Sequence, residues 1–507
     1  MTSKIATGTI IGMEALNVDI EVDVSYRGFP SFTIVGLPGK AVAEAKERVR
    51  TAIVNSGLKM PEAKITVNLA PADIPKTGTH FDLPIAVGIL AASDQVPKKQ
   101  LSQVYFFGEL SLYGNLQPVV GLLALLKLAV INSKRVLFAV QNSNEVSLLK
   151  NKIDAVPVHD LKELVKYLST GKSQRSMQDV SYLRKSEEYP FDLSDVIGQH
   201  TAKRALEIAA AGFHNLHLYG PPGGGKTMLS RSLPSIMPEL SDEERIEVMQ
   251  IYSIAGKIEE GSSGYPPFRS PHHTISRIGL IGGGAHPLPG EISLAHRGVL
   301  FLDELPEFPR SIIESLRQPL EDGIVSISRS SGSVRFPSRV LFQCSSNPCP
   351  CGYYRYNSSK CSCTPSMIAG YQKRISGPLL DRIDMHQEVL PVKTEMLRSD
   401  RAKEKNSSQT VRARVVRARL LQQERLASYG ISTNGEMTSR HVGLLCQMST
   451  EAQSFLHAYA DQYEVTTRSY YKLIKIAQTI ADLEECRSIG LPHIMESVQY
   501  RYFPLDN

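Results

Sequence analysis

The chain has 507 residues, of which 42% are hydrophobic and 21% are charged, and its formal net charge at pH 7 is +6. These values are ordinary for a soluble globular protein of about three domains, and the mild positive charge permits contact with nucleic acid without requiring it. The N-terminal segment lacks the apolar run and cleavage site of a signal peptide, and no run approaches the roughly 18 apolar residues that a membrane helix needs. The sequence therefore predicts a cytoplasmic protein without a membrane partner, in a compartment that keeps thiols reduced.

The first part of the chain alternates short apolar runs with helix-like stretches. Residues 65–69 and 104–108 are typical of strands, and residues 41–57 are typical of a helix. This alternation predicts an α+β or α/β domain at residues 1–170. Residues 171–190 are polar and charged without periodicity, and we interpret them as a linker.

A phosphate-binding loop is predicted after the linker. The run GPPGGGKT fits the pattern G-x-x-x-x-G-K-[ST] and stands between an apolar strand at residues 216–219 and a helical run. Glycines let backbone N–H groups face phosphates, Lys226 can reach the β- and γ-phosphates, and the Thr227 hydroxyl can ligate Mg²⁺. The predicted nucleotide-binding residues of this loop are Gly220, Pro221, Pro222, Gly223, Gly224, Gly225, Lys226 and Thr227.

Two carboxylates and an amide follow the next apolar runs. Residues 298–302 lead into Asp303, predicted to hold Mg²⁺, and Glu304, predicted to polarise the attacking water. Residues 339–344 lead to Asn347, which we expect to orient water or contact the γ-phosphate. The alternatives are a surface acidic pair and an ordinary Asn-Pro turn. With a phosphate loop upstream, the sequence favours an NTPase.

Five of the seven cysteines lie within residues 344–363. Two Cys-x-Cys pairs bracket nine residues there, and four thiolates can form a tetrahedral structural Zn²⁺ site. The predicted zinc ligands are Cys349, Cys351, Cys361 and Cys363. Free packed thiols and redox sensing are the alternatives. A zinc site here would anchor the loop that follows Asn347.

The remaining patterns predict a hairpin and a helical C-terminal region. Residues 321–336 alternate in polarity around a Ser-Ser-Gly turn, as in a β-hairpin. From about residue 396 the chain is predicted to be helical. Val411, Val415 and Ala418 recur at helical spacing, with arginines on the other faces.

The three nucleotide motifs, in this order, resemble those of an AAA+ ATPase. The whole chain resembles the ComM/YifB family of competence-related proteins, in the magnesium-chelatase-like branch. The segments that carry this resemblance are residues 268–276, 282–293, 349–352, 374–386 and 467–483. It implies an α/β P-loop core at residues 191–395 with a helical lid at residues 396–507.

The resemblance also implies further site residues. Arg382 matches the arginine finger that a neighbouring subunit donates to the transferring phosphoryl group, with Arg374 as the second candidate. An ion pair to a neighbouring aspartate is the alternative for either. Arg468 matches a second sensor arginine acting on its own subunit's nucleotide, and Ile197, Gly198 and Gln199 match the segment that packs the base.

Two segments of the core resemble DNA-contacting parts of related machines. Residues 239–290 are long for a simple crossover and resemble a helix-2 insert that projects into a ring pore. The predicted hairpin matches the one before the first sensor, so Arg329 and Arg335 are candidates for DNA phosphate contacts. Solvated arginines are the alternative.

The domain at residues 1–170 resembles the C-terminal fold of Lon proteases, which use a Ser–Lys dyad. The segment that matches the nucleophile loop, residues 78–82, contains no serine, and residues 121–126 contain no lysine. We therefore expect a proteolytically silent domain. Scaffolding, ring stabilisation, or binding of DNA or a partner are its candidate roles.

Taken together, the family resemblance implies an ATP- and Mg²⁺-dependent homo-hexameric ring. It would translocate on DNA and promote branch migration during integration of transforming DNA, with recombination proteins as possible partners. One alternative is a protein-remodelling or metal-insertion ATPase of the magnesium chelatase type. The other is a non-enzymatic DNA-binding scaffold, against which the intact Lys226, Asp303 and Glu304 argue.

Overall fold

The structure is a computed structural model that describes residues 1–173, 189–261, 264–329, 332–356, 359–392 and 407–501. Contacts divide the chain into two compact units. The N-terminal unit consists of Met1–Lys185, Arg245–Ser263 and Ser328–Arg335, and the P-loop unit consists of Ser186–Glu244, Gly264–Ile327 and Phe336–Asn507. Most of the predicted linker, residues 174–188, lies outside the described residues.

A mixed β-sheet organises the N-terminal unit. The strands within residues 1–173 are β1 (Thr2–Ile11), β2 (Glu14–Ser25), β3 (Ser31–Val35), β4 (Lys64–Ala70), β5 (Val104–Phe107), β6 (Glu109–Leu110), β7 (Leu116–Gln117), β8 (Arg135–Ala139) and β9 (Ala155–Val158). Seven of them form one sheet in the order β3-β4-β2-β1-β5-β8-β9. β1 and β2 form a long antiparallel hairpin, whereas β1 runs parallel to β5. On β2, Val18, Ile20, Val22 and Val24 are buried on one face, as the two-residue period of a strand requires.

Helices cover this sheet. Within residues 1–173 they are α1 (Lys40–Asn55), α2 (Asp82–Ala92), α3 (Leu122–Asn132), α4 (Ser143–Ser147) and α5 (Leu161–Thr170). α1 buries Val42, Ala45, Val49 and Ala52, which recur at the spacing of one helical face. α2 is buried along its whole length, and its Asp82 carboxylate pairs with Arg48 at 2.7 Å. This arrangement confirms the predicted mixture of helices and strands.

A parallel sheet organises the P-loop unit. The strands that follow in the chain are β10 (Leu216–Tyr219), β11 (Phe268–Arg269), β12 (Gly282–Gly283), β13 (Leu288–Pro289), β14 (Val299–Leu302), β15 (Ile324–Arg329), β16 (Gly332–Pro337), β17 (Leu341–Ser346) and β18 (Met385–Glu388). Five of them form a sheet in the order β11-β14-β17-β10-β18, in which every adjacent pair is parallel. The carboxyl ends of these strands therefore meet at one edge. β15 and β16 pair with each other, which confirms the predicted hairpin.

The helices that follow in the chain belong to the P-loop unit and its C-terminal region, except for the residues within Arg245–Ser263, which belong to the N-terminal unit. They are α6 (His200–Gly212), α7 (Lys226–Ile236), α8 (Asp242–Ile254), α9 (Ile258–Gly261), α10 (Arg277–Ile281), α11 (Glu291–Leu294), α12 (Arg310–Ser315), α13 (Arg317–Asp322), α14 (Pro365–Gln372), α15 (Gly377–Leu380), α16 (Ser408–Leu426), α17 (Ser439–Leu445), α18 (Thr450–Gln462), α19 (Thr467–Leu483) and α20 (Leu491–Val498). The predicted helical C-terminal region is confirmed. Among the described residues, no helix combines the length and the apolar character that crossing a bilayer requires.

The arginines of α16 have structural partners. Val411, Val415 and Ala418 are buried, as their spacing predicts. The guanidinium of Arg412 donates to the carbonyl of Ser235, near the end of α7, and that of Arg419 donates to the carbonyl of Ala210, near the end of α6. The last carbonyls of a helix lack partners within the helix. These two arginines therefore cap the helices that they cross.

The segment Arg245–Ser263 belongs to the N-terminal unit, although the chain reaches it from α7. Met249 on α8 is buried in the same apolar cluster as Leu125 and Leu126. The Gln250 side chain donates to the carbonyl of Met13 at 2.5 Å. The sequence prediction, which gave this segment to the P-loop core, did not anticipate this packing.

Candidate nucleotide-binding site

The predicted phosphate loop follows β10 and leads directly into α7. Gly220 has a φ of +150°, and a Cβ built on it would lie 2.2 Å from the carbonyl oxygen of Val389. Gly225, which begins α7, has a φ of +88°. Side chains rarely adopt such backbone angles, so both positions favour glycine. The loop is thereby held close to the chain that leaves β18, and its N–H groups lie at a helix N-terminus, which attracts anions.

Lys226 lies over the loop. Its Nζ donates to the carbonyl oxygens of Gly220 at 2.7 Å and Pro221 at 2.9 Å, and to Oδ1 of Asn347 at 3.1 Å. Burial lowers the pKa of Lys226 below its ordinary value of 10.5, and the carboxylates of Asp303 and Glu304 oppose this shift. Lys226, predicted to bind phosphate, is therefore in direct contact with Asn347, predicted to sense the γ-phosphate.

Two oxygen donors form the predicted Mg²⁺ site. The Thr227 hydroxyl donates to Oδ2 of Asp303 at 2.8 Å. Oδ1 of the same carboxylate accepts a hydrogen bond from the Ser345 hydroxyl at 2.5 Å. Mg²⁺ prefers a few carboxylate and hydroxyl oxygens together with waters and phosphates, so the residues present fit this ion. Sequence reasoning missed Ser345, whose only signal was its place near the end of β17, two residues before Asn347.

Glu304 sits on a strained turn beside this pair. Its φ is +52°, which is uncommon for a residue with a side chain, and its N–H donates to the Ser345 hydroxyl at 2.9 Å. The hydrogen bond fixes the turn immediately after β14. Glu304 and Asp303 are thus positioned by the same serine, at the edge where the phosphate loop lies.

The segment predicted to pack the base touches the loop through one side chain. Ile197 is half-buried and Gly198 has a φ of +68°. The next residue, Gln199, donates from Nε2 to the carbonyl oxygens of Gly224 at 2.8 Å and Leu390 at 2.5 Å. Gln199 therefore clamps the phosphate loop, a role that the sequence did not reveal.

Arg382 and Arg468 meet at a single carboxylate. Both form ion pairs with Glu321, at 3.3 Å for Arg468. Arg382 also donates to the carbonyl oxygens of Arg317 at 2.9 Å and Pro378 at 2.7 Å. The ion-pair alternative considered for Arg382 named a neighbouring aspartate, whereas the structure supplies Glu321.

These two arginines line a cleft of about 700 Å³, which also contains Lys472 and Lys475. Burial lowers the pKa of both lysines below 10.5. Among the described residues, the lining includes no member of the phosphate loop. The structure therefore groups Arg468 with Arg382 and not with Lys226.

The second candidate for the finger, Arg374, lies elsewhere. It donates to the carbonyl oxygen of Pro306 at 3.1 Å and to the Glu307 carboxylate at 3.5 Å. Its partners belong to the turn that follows Glu304. Arg374 thus contacts the turn after Glu304 within the same chain.

The four predicted zinc ligands converge. The sulfur atoms of Cys349, Cys351, Cys361 and Cys363 all lie within 4.8 Å of one another. The Sγ atoms of Cys349 and Cys351 are 3.4 Å apart, and those of Cys351 and Cys361 are 3.6 Å apart. All four cysteines are free of disulfides. Four sulfur donors in one small volume fit the tetrahedral coordination of Zn²⁺.

A second group of potential ligands is less suited to a metal. Glu484, Cys486 and His493 bring their donor atoms together. Nδ1 of His493, however, accepts the N–H of Gly490 at 2.9 Å. The neutral ring then carries its proton on Nε2, directed at Glu484 at 3.0 Å, so that nitrogen is not a lone-pair donor.

The candidate DNA-contacting arginines lie on the paired strands β15 and β16. Arg335 is exposed on β16. The backbone of Arg329 ends β15, and its side chain lies outside the described residues. The structure thus places both on one hairpin.

The segment that matches the Lon nucleophile loop is internally bonded. The Thr79 hydroxyl donates to the Glu109 carboxylate, and the buried Lys76 ammonium donates to the carbonyl of Pro71. His80 is buried against the carbonyl of Gly8 at 2.8 Å, and burial lowers its pKa to about 4. These contacts give the polar residues structural partners.

Comparison with known families matches three parts of the chain. Residues 192–397 match the family described as magnesium chelatase, subunit ChlI, and residues 405–501 match its C-terminal family. Residues 20–142 match the family described as subunit ChlI of Mg-chelatase. These families are AAA+ ATPases, so the parallel sheet and its phosphate loop form an ATPase that uses ATP and Mg²⁺.

Individual proteins extend the similarity over nearly the whole chain. The competence protein ComM of Haemophilus influenzae is 41% identical over 497 residues, covering 97% of this chain and 96% of its own. The uncharacterized protein YifB of Escherichia coli is 39% identical over 500 residues, covering 98% and 97%. Lon protease 2 of Bacillus subtilis is 28% identical over 167 residues, 30% of each chain, which fits the Lon-like part of the predicted fold. The chain therefore belongs to the ComM/YifB family of magnesium-chelatase-like AAA+ ATPases.

Proposed function

We propose that this protein is an ATP-driven hexameric ring that translocates on DNA and promotes branch migration during natural transformation and recombination. The observation that carries the proposal is the contact between Lys226 and Asn347, because it joins phosphate binding to the strand end that senses the γ-phosphate. Similarity to a competence protein along 97% of the chain supports the biological setting.

The residues at the strand ends divide the chemistry of hydrolysis among them. Mg²⁺, held by Thr227 and Asp303, neutralises charge on the phosphate oxygens when it is bound. The Lys226 ammonium exchanges the loop carbonyls for phosphate oxygens. Glu304 polarises the attacking water, and Asn347 orients it. The hydrogen bonds of Ser345 hold Asp303 and Glu304 in fixed relative positions during hydrolysis.

The arginine cleft supplies charge to a neighbouring subunit. Arg382 and Arg468 share Glu321 and line a cleft apart from the described phosphate loop. This supports a ring in which Arg382 stabilises the transferring phosphoryl group of the adjacent subunit. Arg468 acts on the same nucleotide as Arg382, which departs from the expectation that it serves its own subunit.

DNA is the substrate on which the ring moves. Arg329 and Arg335 on the hairpin contact its phosphates, and nucleotide-dependent motion of the sensor strand is passed to the hairpin that precedes it. The N-terminal unit, in which Thr79 and Lys76 have structural partners, acts without proteolysis. Recombination proteins are the expected partners on branched DNA.

The four clustered cysteines bind one Zn²⁺ with a structural role. The convergence of their sulfur atoms supports this assignment over separate free thiols. Metal analysis of the purified protein should give about one equivalent of zinc per chain. Far less zinc, together with four titratable thiols, would reject it.

A second candidate function is protein remodelling or metal insertion of the magnesium chelatase type. The matches of residues 192–397 and 405–501 to the chelatase subunit families favour it. Such an ATPase would respond to a protein or a metallated ligand, not to DNA.

The experiment that tests the proposal is ATP-dependent branch migration on a synthetic DNA junction. Wild type should migrate the junction, and Glu304→Gln should bind ATP and DNA without moving it. Glu424→Gln, the same change at an exposed position on α16, is the matched control and should behave as wild type. Equal activity of Glu304→Gln and wild type would refute the hydrolytic role. Failure of wild type on every junction, with ATP hydrolysis unresponsive to DNA, would favour the remodelling function.

A further inference from the structure

The cysteine segment is connected to the ATPase site at both of its ends. It leaves the sheet directly after Asn347 and Pro348 and returns to α14, whose first turn is capped by the Thr364 hydroxyl. The clustered sulfur atoms come from its two ends, Cys349 and Cys351 at one and Cys361 and Cys363 at the other. A metal ion bound by all four would therefore close the segment into a loop. We call the described residues 349–356 and 359–363 the cysteine loop.

The cysteine loop rests on the phosphate loop. Gly352 has a φ of +84°, and a Cβ built there would lie 2.7 Å from Cδ of Pro222. Only a residue without a side chain allows such an approach in that backbone conformation. Gly352 lies immediately after Cys351, so the position of one zinc ligand sets the surface against which Pro222 packs.

A second contact reaches the phosphate loop from behind. The Tyr356 hydroxyl donates to the Glu388 carboxylate at the end of β18. The next residue, Val389, places its carbonyl oxygen against Gly220 and Gly224, where added Cβ atoms would lie at 2.2 and 2.8 Å. The cysteine loop thus contacts both the phosphate loop and the strand end that supports it.

A third contact fixes the sensor. The side chain of Gln372 on α14 donates to the carbonyl of Pro348 at 3.2 Å. Because α14 begins directly after Cys363, the cluster holds both chain ends that position Asn347.

We infer that metal occupancy of the cysteine loop sets the conformation of the phosphate loop and of Asn347, and so controls the affinity for nucleotide. This inference rests on the proposed zinc site and assigns it a regulatory consequence. The cysteines touch no reacting atom and act as positioning residues through Pro222, Glu388 and Pro348. Loss of the ion frees the two ends of the loop and loosens all three contacts together.

The test measures zinc content and the dissociation constant of a fluorescent ADP analogue on the same full-length preparations. Removal of zinc with a chelator and a reversible thiol reagent should weaken binding about tenfold. Readdition of Zn²⁺ should restore it, and Mg²⁺ alone should not. The double variant Cys361→Ser, Cys363→Ser should reproduce the zinc-free state. Cys486→Ser, at an exposed cysteine outside the loop, is the control and should change neither quantity.

A conservative variant separates coupling from a general loss of structure. Tyr356→Phe removes one hydroxyl and leaves all four sulfur atoms in place. It should keep its zinc and weaken nucleotide binding about threefold to tenfold. Wild type without zinc and with free thiols would overturn both the zinc site and the coupling. Zinc that can be removed without changing nucleotide affinity, with Tyr356→Phe also unchanged, would overturn the coupling alone.

Discussion

The phosphate-loop edge and the arginine cleft lie in the same unit and both contain cationic side chains, yet these side chains are partnered differently. At the edge, Lys226 contacts Asn347, and Thr227 contacts Asp303, so the groups that bind nucleotide are already joined to one another. In the cleft, Arg382 and Arg468 are held by Glu321. One chain thus joins the groups predicted to bind ATP to one another and places Arg382 and Arg468 in a separate cleft. A nucleotide site completed by an arginine from a neighbouring subunit requires that arginine to lie apart from the phosphate loop of its own chain.

The largest expected effect comes from removing Arg382, the proposed arginine finger. Arg382→Ala should lower kcat for ATP hydrolysis about 10³-fold while leaving the ATP dissociation constant nearly unchanged, because the charge acts on the transition state. Steady-state kinetics and nucleotide titration check both quantities. Arg374→Ala, which removes a cation beside its own Glu307, is the comparison variant and should lose far less activity. A larger loss in Arg374→Ala would exchange the roles of the two residues.

Arg468 provides the second test of the comparison. Because it shares Glu321 with Arg382, we expect Arg468→Ala to lower kcat about 10- to 100-fold without weakening binding of ATP to isolated subunits. Binding to diluted, monomeric protein is the deciding measurement. Weakened binding by the monomer would mean that Arg468 serves its own nucleotide.

Acid should affect the sheet that carries the phosphate loop. His217 on β10 is buried between His386 at 3.1 Å and the Ser346 hydroxyl at 2.7 Å, and burial lowers its pKa from 6.5 to about 4. Near pH 6.5, His217 binds a proton in the unfolded chain but not in the folded chain. Its contribution to the free energy of unfolding is therefore fully present above that pH and is lost as the pH falls from 6.5 towards 4. His217 alone should lower the free energy of unfolding by about 1 kcal/mol at pH 5.5.

Urea unfolding at pH 7.5 and pH 5.5 measures this effect. His217→Asn should reduce the difference between the two pH values by about 1 kcal/mol. His159→Asn, at a partly exposed position in the N-terminal unit, is the comparison variant for the same substitution. An equal pH dependence in wild type and His217→Asn would show that His217 is not the buried neutral group.

The smallest effect is expected from Glu321. This exposed carboxylate competes with phosphate for two arginines, so Glu321→Gln should raise the ATPase rate by up to about fivefold, the scale of an exposed ion pair. Asp322→Asn, the adjacent exposed carboxylate, should have no effect. A fall in rate for Glu321→Gln would show that the carboxylate positions the arginines for use.

The sequence predicted those parts of the site that depend on local pattern. Lys226, Asp303 and Asn347 each follow an apolar run, and parallel strands bring such positions to one edge. Ser345 and the contact of Gln199 with the phosphate loop were missed because they arise between segments distant in sequence. The packing of Met249 in the N-terminal unit was missed for the same reason.

The contacts of Arg382 and Arg468 were likewise not predictable from the sequence. Family resemblance indicated Arg382 and Arg468, but no pattern in the chain relates either residue to Glu321. Their pairing depends on how α13, α15 and α19 pack, which is decided by tertiary contacts. The cysteine spacing, by contrast, did predict a cluster. The two Cys-x-Cys pairs lie at the two ends of one short segment, so a single local loop is enough to bring them together.

The most direct test of a shared site is the ATPase activity of mixed subunits. Lys226→Ala lacks nucleotide binding but keeps Arg382, and Arg382→Ala has the opposite defect. If a neighbour supplies the arginine, mixing the two inactive variants should restore hydrolysis at sites where Arg382→Ala binds ATP beside a Lys226→Ala subunit. Co-purification through a tag on one variant verifies that mixed assemblies have formed. If these assemblies are as inactive as either variant alone, the result would contradict a site completed between subunits.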